Sequence, residues 1–103
     1  MIPPQKFFVA GVSFKKTDVE RRSKFAFAPD ECCSIYSAMP SDYFQHFFIL
    51  STCNRTEIYG FAPCEYVLLS IFQRQAKTSS QEVNQHVYLK EGNEAVKHFL
   101  SVA

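Results

Sequence analysis

Phe47-Phe48-Ile49-Leu50-Ser51-Thr52-Cys53-Asn54-Arg55-Thr56-Glu57-Ile58-Tyr59-Gly60-Phe61 is the stretch on which the fold turns: two apolar runs on either side of a short polar segment. The first run reads as part of a strand over Phe44 to Thr52. It is apolar on both faces, Phe44, Phe48 and Leu50 against Phe47 and Ile49, as in the middle of a covered sheet. Thr56 to Phe61 reads as the next strand, so the pair is a candidate hairpin with Cys53 near its turn. Asn54 tolerates turn conformations, a structural reason for that residue that requires no chemistry. The same turn delivers one cysteine to a polar strand end beside a cation, Arg55. A thiol becomes reactive when a guanidinium or exposed backbone N–H groups stabilise its thiolate, lowering the pKa from about 8.5 toward neutrality. The competing reading of Cys53 is the ordinary one for a free cysteine, a small buried hydrophobe.

Working outward, Lys6 to Ser13 holds the run Phe7-Phe8-Val9-Ala10-Gly11-Val12, too short for a helix and bounded by Pro4 and a basic segment; it reads as a strand. Pro29-Asp30-Glu31 is a helix start, since proline suits the first turn and acids suit the positive end of the dipole. Pro40 stops that helix, whose Cys32, Ile35, Tyr36 and Met39 share one face. Pro63 opens a second helix with Cys64, Leu68, Ile71 and Phe72 on one face, so Cys32 and Cys64 both read as core. Lys77 to Gln85 reads as a loop or a short turn of helix, and His86-Val87-Tyr88-Leu89 as a fourth strand. Gly92-Asn93 then caps a final helix whose apolar stripe is Val96, Phe99, Leu100 and Ala103. His98 lies roughly 160° around that helix from Val96, off the stripe, with Glu94 one turn away as a candidate partner. The order β-α-β-β-α-β followed by a helix is that of an α+β, ferredoxin-like split βαβ sandwich. Such a fold hosts many functions and selects none of them.

The chain is the size of one domain, 103 residues, and its 47% hydrophobic content is enough for one ordinary core. A formal net charge of +1 argues against a general nucleic-acid coat protein. The local basic excess from Lys15 to Lys24 (Lys15, Lys16, Arg21, Arg22 and Lys24 against Asp18 and Glu20) reads as a solvated helix face or loop. Cys32, Cys33, Cys53 and Cys64, two of them adjacent, with no secretory leader, lead to the expectation of a reduced, cytoplasmic protein. No metal-ligand spacing links them to His46, His86 or His98, so no metal site is expected. With three glycines in the chain, no Gly-rich dinucleotide fingerprint is available. No apolar stretch approaches the roughly 20 residues of a membrane span. The last helix reaches Ala103 with no C-cap glycine or closing charge, which leads to the expectation of an excised piece of a longer chain.

Three segments together resemble one family. Gly11-Val12-Ser13-Phe14-Lys15-Lys16, then Leu50-Ser51-Thr52-Cys53-Asn54-Arg55-Thr56-Glu57-Ile58-Tyr59, then Glu94-Ala95-Val96-Lys97-His98-Phe99-Leu100-Ser101-Val102-Ala103 are similar to the N-terminal catalytic domain of the glutamyl-tRNA reductases. The resemblance implies that residues 1–103 are a catalytic, glutamyl-tRNA-binding domain, with NADPH-binding and dimerisation domains absent from this chain. It implies the first step of five-carbon tetrapyrrole (porphyrin) synthesis, reduction of tRNA-borne glutamate to glutamate-1-semialdehyde with NADPH. Cys53 matches the family nucleophile that forms a thioester, and Arg55 the arginine that binds the substrate carboxylate. Thr52 and Asn54 supply short polar contacts beside it, and His98 matches a histidine that assists the nucleophile or the leaving ribose hydroxyl. The implied partners are glutamyl-tRNA, a second copy of the protein through the absent C-terminal region, and the next pathway enzyme, an aminomutase. Phe14-Lys15-Lys16 departs from the family's His before Lys-Thr or Lys-Ser, which leaves Ser13, Lys15 and Thr17 without an assigned substrate contact. The rival expectation is a non-catalytic ferredoxin-like module whose basic segment contacts RNA or protein, with Cys53 as packing and Arg55 as a surface charge.

Overall fold

The computed structural model describes residues 4–15, 18–38 and 47–102. They form β1 (Lys6–Ser13), α1 (Val19–Phe25), α2 (Pro29–Ala38), β2 (Phe47–Ser51), β3 (Arg55–Ala62), α3 (Tyr66–Gln75), α4 (Ser80–His86), β4 (Tyr88–Glu91) and α5 (Asn93–Val102). The four strands make one antiparallel sheet in the order β2-β3-β1-β4, so this is an α+β fold.

Side chains alternate across a strand. The register therefore sorts the sheet into two unequal faces. On the first, Phe8, Ala10 and Val12 of β1 lie opposite Gly60, Ile58 and Thr56 of β3. Ile35 of α2 and Leu68, Ile71 and Phe72 of α3 cover this face and complete the main core with Phe25, Phe27 and Val83. Each large side chain fully withdrawn from water there contributes roughly 1.5–3 kcal/mol. The second face carries Phe7, Val9 and Gly11 opposite Phe61, Tyr59 and Glu57. It is covered by α5, whose Ala95 and Phe99 pack on Val9 and Tyr59. Phe48 stacks on Tyr59 at 4.9 Å, and Phe99 meets Tyr59 edge-on at 5.2 Å.

Several expectations shift at this level. β1 keeps the bounds read from its sequence. β2 is described from Phe47; Phe44 and His46, like Met39 and Ala103, lie outside the described residues. Of the basic segment, Val19 to Lys24 lie in a helix, α1, anchored by the fully buried Phe25, whereas Lys16 and Thr17 lie outside the described residues. The polar stretch before β4 is α4, started by Ser79, whose hydroxyl accepts from the Glu82 backbone N–H at 3.2 Å, and pinned by the buried Val83. His86 closes α4 instead of opening a strand, and its ring meets Phe25 edge-on at 5.9 Å. Cys64 is half-buried in the bend before α3, not on it. The stripe expected to face inward on α5 is split: Phe99 packs on the sheet as expected, but Val96 is 43% and Leu100 69% exposed, whereas Ala95 is buried and His98 is half-buried. Among the described residues, no helix is long and apolar enough to cross a membrane.

α1 and α4 are joined by charge as well as by packing. Lys24 Nζ donates to Glu82 Oε1 at 2.7 Å and pairs with Glu20 at 3.2 Å, and Thr78 also donates to Glu82. These donors, Lys24 foremost, hold the Glu82 carboxyl below its ordinary value. A carboxyl depressed in the folded state stabilises above its unfolded pKa and loses that contribution as pH falls through the folded value. Glu82→Gln should therefore flatten the decline in stability on acidification below the ordinary carboxylate range, measured as the urea midpoint from pH 7 to pH 3. A variant as acid-sensitive as the parent would show that this pair contributes nothing.

Candidate active site

The turn between β2 and β3 is organised by one hydroxyl. Ser51 and Thr56 close the ladder. Beyond them the Thr52 N–H donates to the Arg55 carbonyl at 2.8 Å. Thr52 Oγ1 accepts from the backbone N–H groups of Asn54 at 3.1 Å and Arg55 at 3.2 Å, a side-chain turn of the kind threonine supports. The Asn54 carbonyl accepts from the Phe14 N–H at 2.7 Å, which ties the turn to the chain leaving β1. Cys53 sits at the apex and is exposed, as is Asn54. The burial reading of Cys53 is thereby excluded. Among the other cysteines, Cys32 packs against the main core, and burial, then the neighbouring Cys33, push its thiol up.

Arg55 opens β3 opposite Ser13, half-buried and on the second face of the sheet. Two residues on, roughly 7 Å along the strand, the same face presents Glu57. This carboxyl has no exposed surface. Its Oε1 accepts from the Tyr59 phenol at 3.0 Å, and its Oε2 meets both the Tyr88 phenol and His98 Nε2. Tyr88 Oη is also 3.4 Å from His98 Nε2. Burial, followed by the hydrogen bond to Glu57, pushes both phenols well above the ordinary tyrosine value, while the Arg55 charge acts the other way. Both tyrosines therefore stay protonated at neutral pH.

Gly11 makes the cluster fit. It stands in register with Glu57 on one side and Tyr88 on the other. A Cβ there would lie 2.6 Å from Tyr88 Oη and 2.8 Å from Glu57 Cγ. Only a residue without a side chain leaves room for a phenol laid across the strand.

The structure thus places Arg55 and, through Glu57, His98 toward one end of one sheet face, with Cys53 in the turn that precedes Arg55, and it supplies His98 with a partner other than the expected one. Glu94 pairs with Lys97 at 4.0 Å, and Glu57 takes the imidazole. Glu57, Tyr59, Tyr88 and Gly11 were not singled out from the sequence. Their signal was present: Arg55, Glu57, Tyr59 and Phe61 alternate onto one face, and an acid inside an apolar strand requires a partner. Among the described residues no three His, Cys, Asp or Glu side chains gather where they could hold a metal ion.

The model of the glutamyl-tRNA(Glu) reductase N-terminal domain matches residues 10–103. The chain belongs to this family. Glutamyl-tRNA reductase 2 of Flavobacterium johnsoniae is 33% identical over 96 residues, covering 93% of this chain and 22% of that protein. The glutamyl-tRNA reductase of Flavobacterium psychrophilum is 29% identical over 96 residues, with coverage of 93% and 23%. That of Teredinibacter turnerae is 33% identical over 95 residues, with coverage of 90% and 23%. The chain spans under a quarter of the length of these relatives. Within this reductase domain the matched region contains the Cys53 turn, the buried Glu57 and the His98 helix alike.

The space over Gly11 is open to direct test. Gly11→Ala should cost about 1–3 kcal/mol of unfolding free energy, through overpacking of Tyr88 against Glu57, seen as a lower urea midpoint at unchanged slope. A wild-type midpoint would mean that the cluster moves aside freely.

Proposed function

We propose that residues 1–103 form the acyl-accepting catalytic domain of an NADPH-dependent glutamyl-tRNA reductase, acting in the first step of five-carbon tetrapyrrole synthesis. The observation that carries this reading is the exposure of Cys53 at the apex of a turn locked by Thr52, in a chain of this family. The Cys53 thiolate attacks the carbonyl carbon of the ester joining glutamate to the terminal ribose. A carbon–sulfur bond forms, the bond from that carbon to the ribose oxygen breaks, and the ribose oxygen takes a proton as tRNA leaves. The glutamyl group remains as a thioester, a better hydride acceptor than the ester it replaces.

Arg55 presents a planar fork of donors suited to the side-chain carboxylate of the glutamyl group. Thr52 shapes the turn, and Asn54 flanks the sulfur with a polar side chain. His98, on the same end of the sheet face, is the proton carrier for the departing ribose oxygen or for the thiol. The sheet order, with α2 and α3 as crossovers, is read as a ferredoxin-like split βαβ unit to which α1, α4 and α5 are added.

The chain's own residues do not fit a dinucleotide. Gly11 is covered by Tyr88 and Glu57, Gly60 lies within β3, and Gly92, at φ +58°, forms the tight junction between β4 and α5. None begins a Gly-rich strand-to-helix turn. On this reading NADPH binding and dimerisation belong to parts of the protein outside this chain. The product passes to an aminomutase, and the location is cytoplasmic.

Transfer of labelled glutamate from charged tRNA to the protein tests the proposal. The parent should acquire a covalent, hydroxylamine-labile label, Cys53→Ser none, and Arg55→Lys should need about tenfold more charged tRNA for half-maximal rate, equivalent to roughly 1.4 kcal/mol. Label retained by Cys53→Ser, or alkylation at neutral pH that spares Cys53 while modifying Cys33, would refute it.

A further inference from the structure

We propose that Glu57, braced by Tyr59 and Tyr88, is the positioning residue for His98, fixing its Nε2 as the proton-bearing nitrogen inside the cluster and leaving Nδ1 to act in acyl transfer. The inference rests on the function proposed above and deepens it.

The argument begins with burial. A carboxyl with no exposed surface is strongly destabilising unless its lone pairs are met by donors. Glu57 has three candidate donors on two oxygens: Tyr59 at Oε1, and Tyr88 and His98 at Oε2. An ionised carboxylate has about four acceptor sites and no proton of its own, so it accommodates all three. Each phenol has a single proton, and both phenols remain protonated in this environment. Tyr88 directs its proton at Glu57, so it presents only an oxygen lone pair to His98 Nε2, 3.4 Å away. Nε2 consequently faces two acceptors and must itself be the donor. Which imidazole nitrogen works is decided by the bond the other nitrogen makes.

The surroundings support the assignment. β3 contributes Glu57 and Tyr59, with the Arg55 charge felt at both phenols; β4 contributes Tyr88. β1 contributes Gly11, whose missing side chain lets Tyr88 reach Glu57. On α5 the neighbouring Glu94 is occupied with Lys97. A nucleophile, a base and a third group that orients the base form the general logic of activated nucleophiles, and Glu57 takes the third place.

The test pairs a spectroscopic signature with kinetics on the protein. With 15N-labelled histidine, Nε2 of His98 should carry a proton whether the ring is neutral or charged; a neutral ring protonated at Nδ1 overturns the assignment. Glu57→Gln, which keeps the shape, should lower the rate constant for labelling Cys53 at saturating charged tRNA by about 10–100-fold, with half-saturation within about threefold. Tyr88→Phe should give a smaller drop in the same rate constant, and serves alone if Glu57→Gln fails to fold. Parent rates in the variants overturn the proposal while leaving Cys53 as acceptor. Labelling of Cys53→Ser would overturn the reading of Cys53 while leaving the tautomer result standing.

Discussion

Burying one carboxylate constrains four elements at once. Glu57 is withdrawn entirely from water, and its partners come from its own strand, from β4 and from α5, with β1 supplying the glycine that lets them meet. A carboxyl in that position has to be matched by hydrogen-bond partners, because a buried polar group left unmet bears its full desolvation cost. The rotation of α5 follows from it. Turning Val96 and Leu100 inward would add apolar burial but would rotate His98 away from Glu57. The helix instead lies with Ala95, His98 and Phe99 on the sheet.

Local patterning made much of the fold legible. β1 kept its bounds because a short apolar run between Pro4 and a basic segment leaves few alternatives. The β2–β3 hairpin followed from two apolar runs separated by a turn-tolerant Thr-Cys-Asn segment. α1 was left open between a solvated helix face and a loop, because a single buried residue, Phe25, anchors it beside a cluster of cations. α4 stood only as one of two alternatives, a loop or a short turn of helix, although Ser79 and Glu82 hold the spacing of an N-terminal cap, because the surrounding composition is polar throughout.

The site was legible only in part, for a nonlocal reason. Cys53, Arg55 and His98 stand out as residue types in context, but the partner of His98 lies 41 positions away, on strand β3. Helical spacing nominated Glu94, the local candidate, and counting apolar residues on α5 nominated Val96 and Leu100 beside Phe99, of which only Phe99 packs on the sheet. Neither rule contains the sheet beneath the helix. Strand parity does, since it places Glu57 beside Tyr59 and opposite Gly11. The two sheet faces accordingly differ in kind: an apolar core under α2 and α3, and under α5 a smaller apolar cluster with the hydrogen-bonded Glu57 group beside it.

The orientation of α5 also leaves Val96 and Leu100 side by side in water, one turn apart. The helix that carries His98 therefore presents an oily ridge to solvent, in addition to exposed apolar side chains such as Val19 and Tyr66 elsewhere. Solutes excluded from protein surfaces, such as sulfate, strengthen association through such a ridge, whereas urea weakens it. Colloidal behaviour of this chain is thus coupled to the choice of buried face on one short helix, and through it to a single acid in β3.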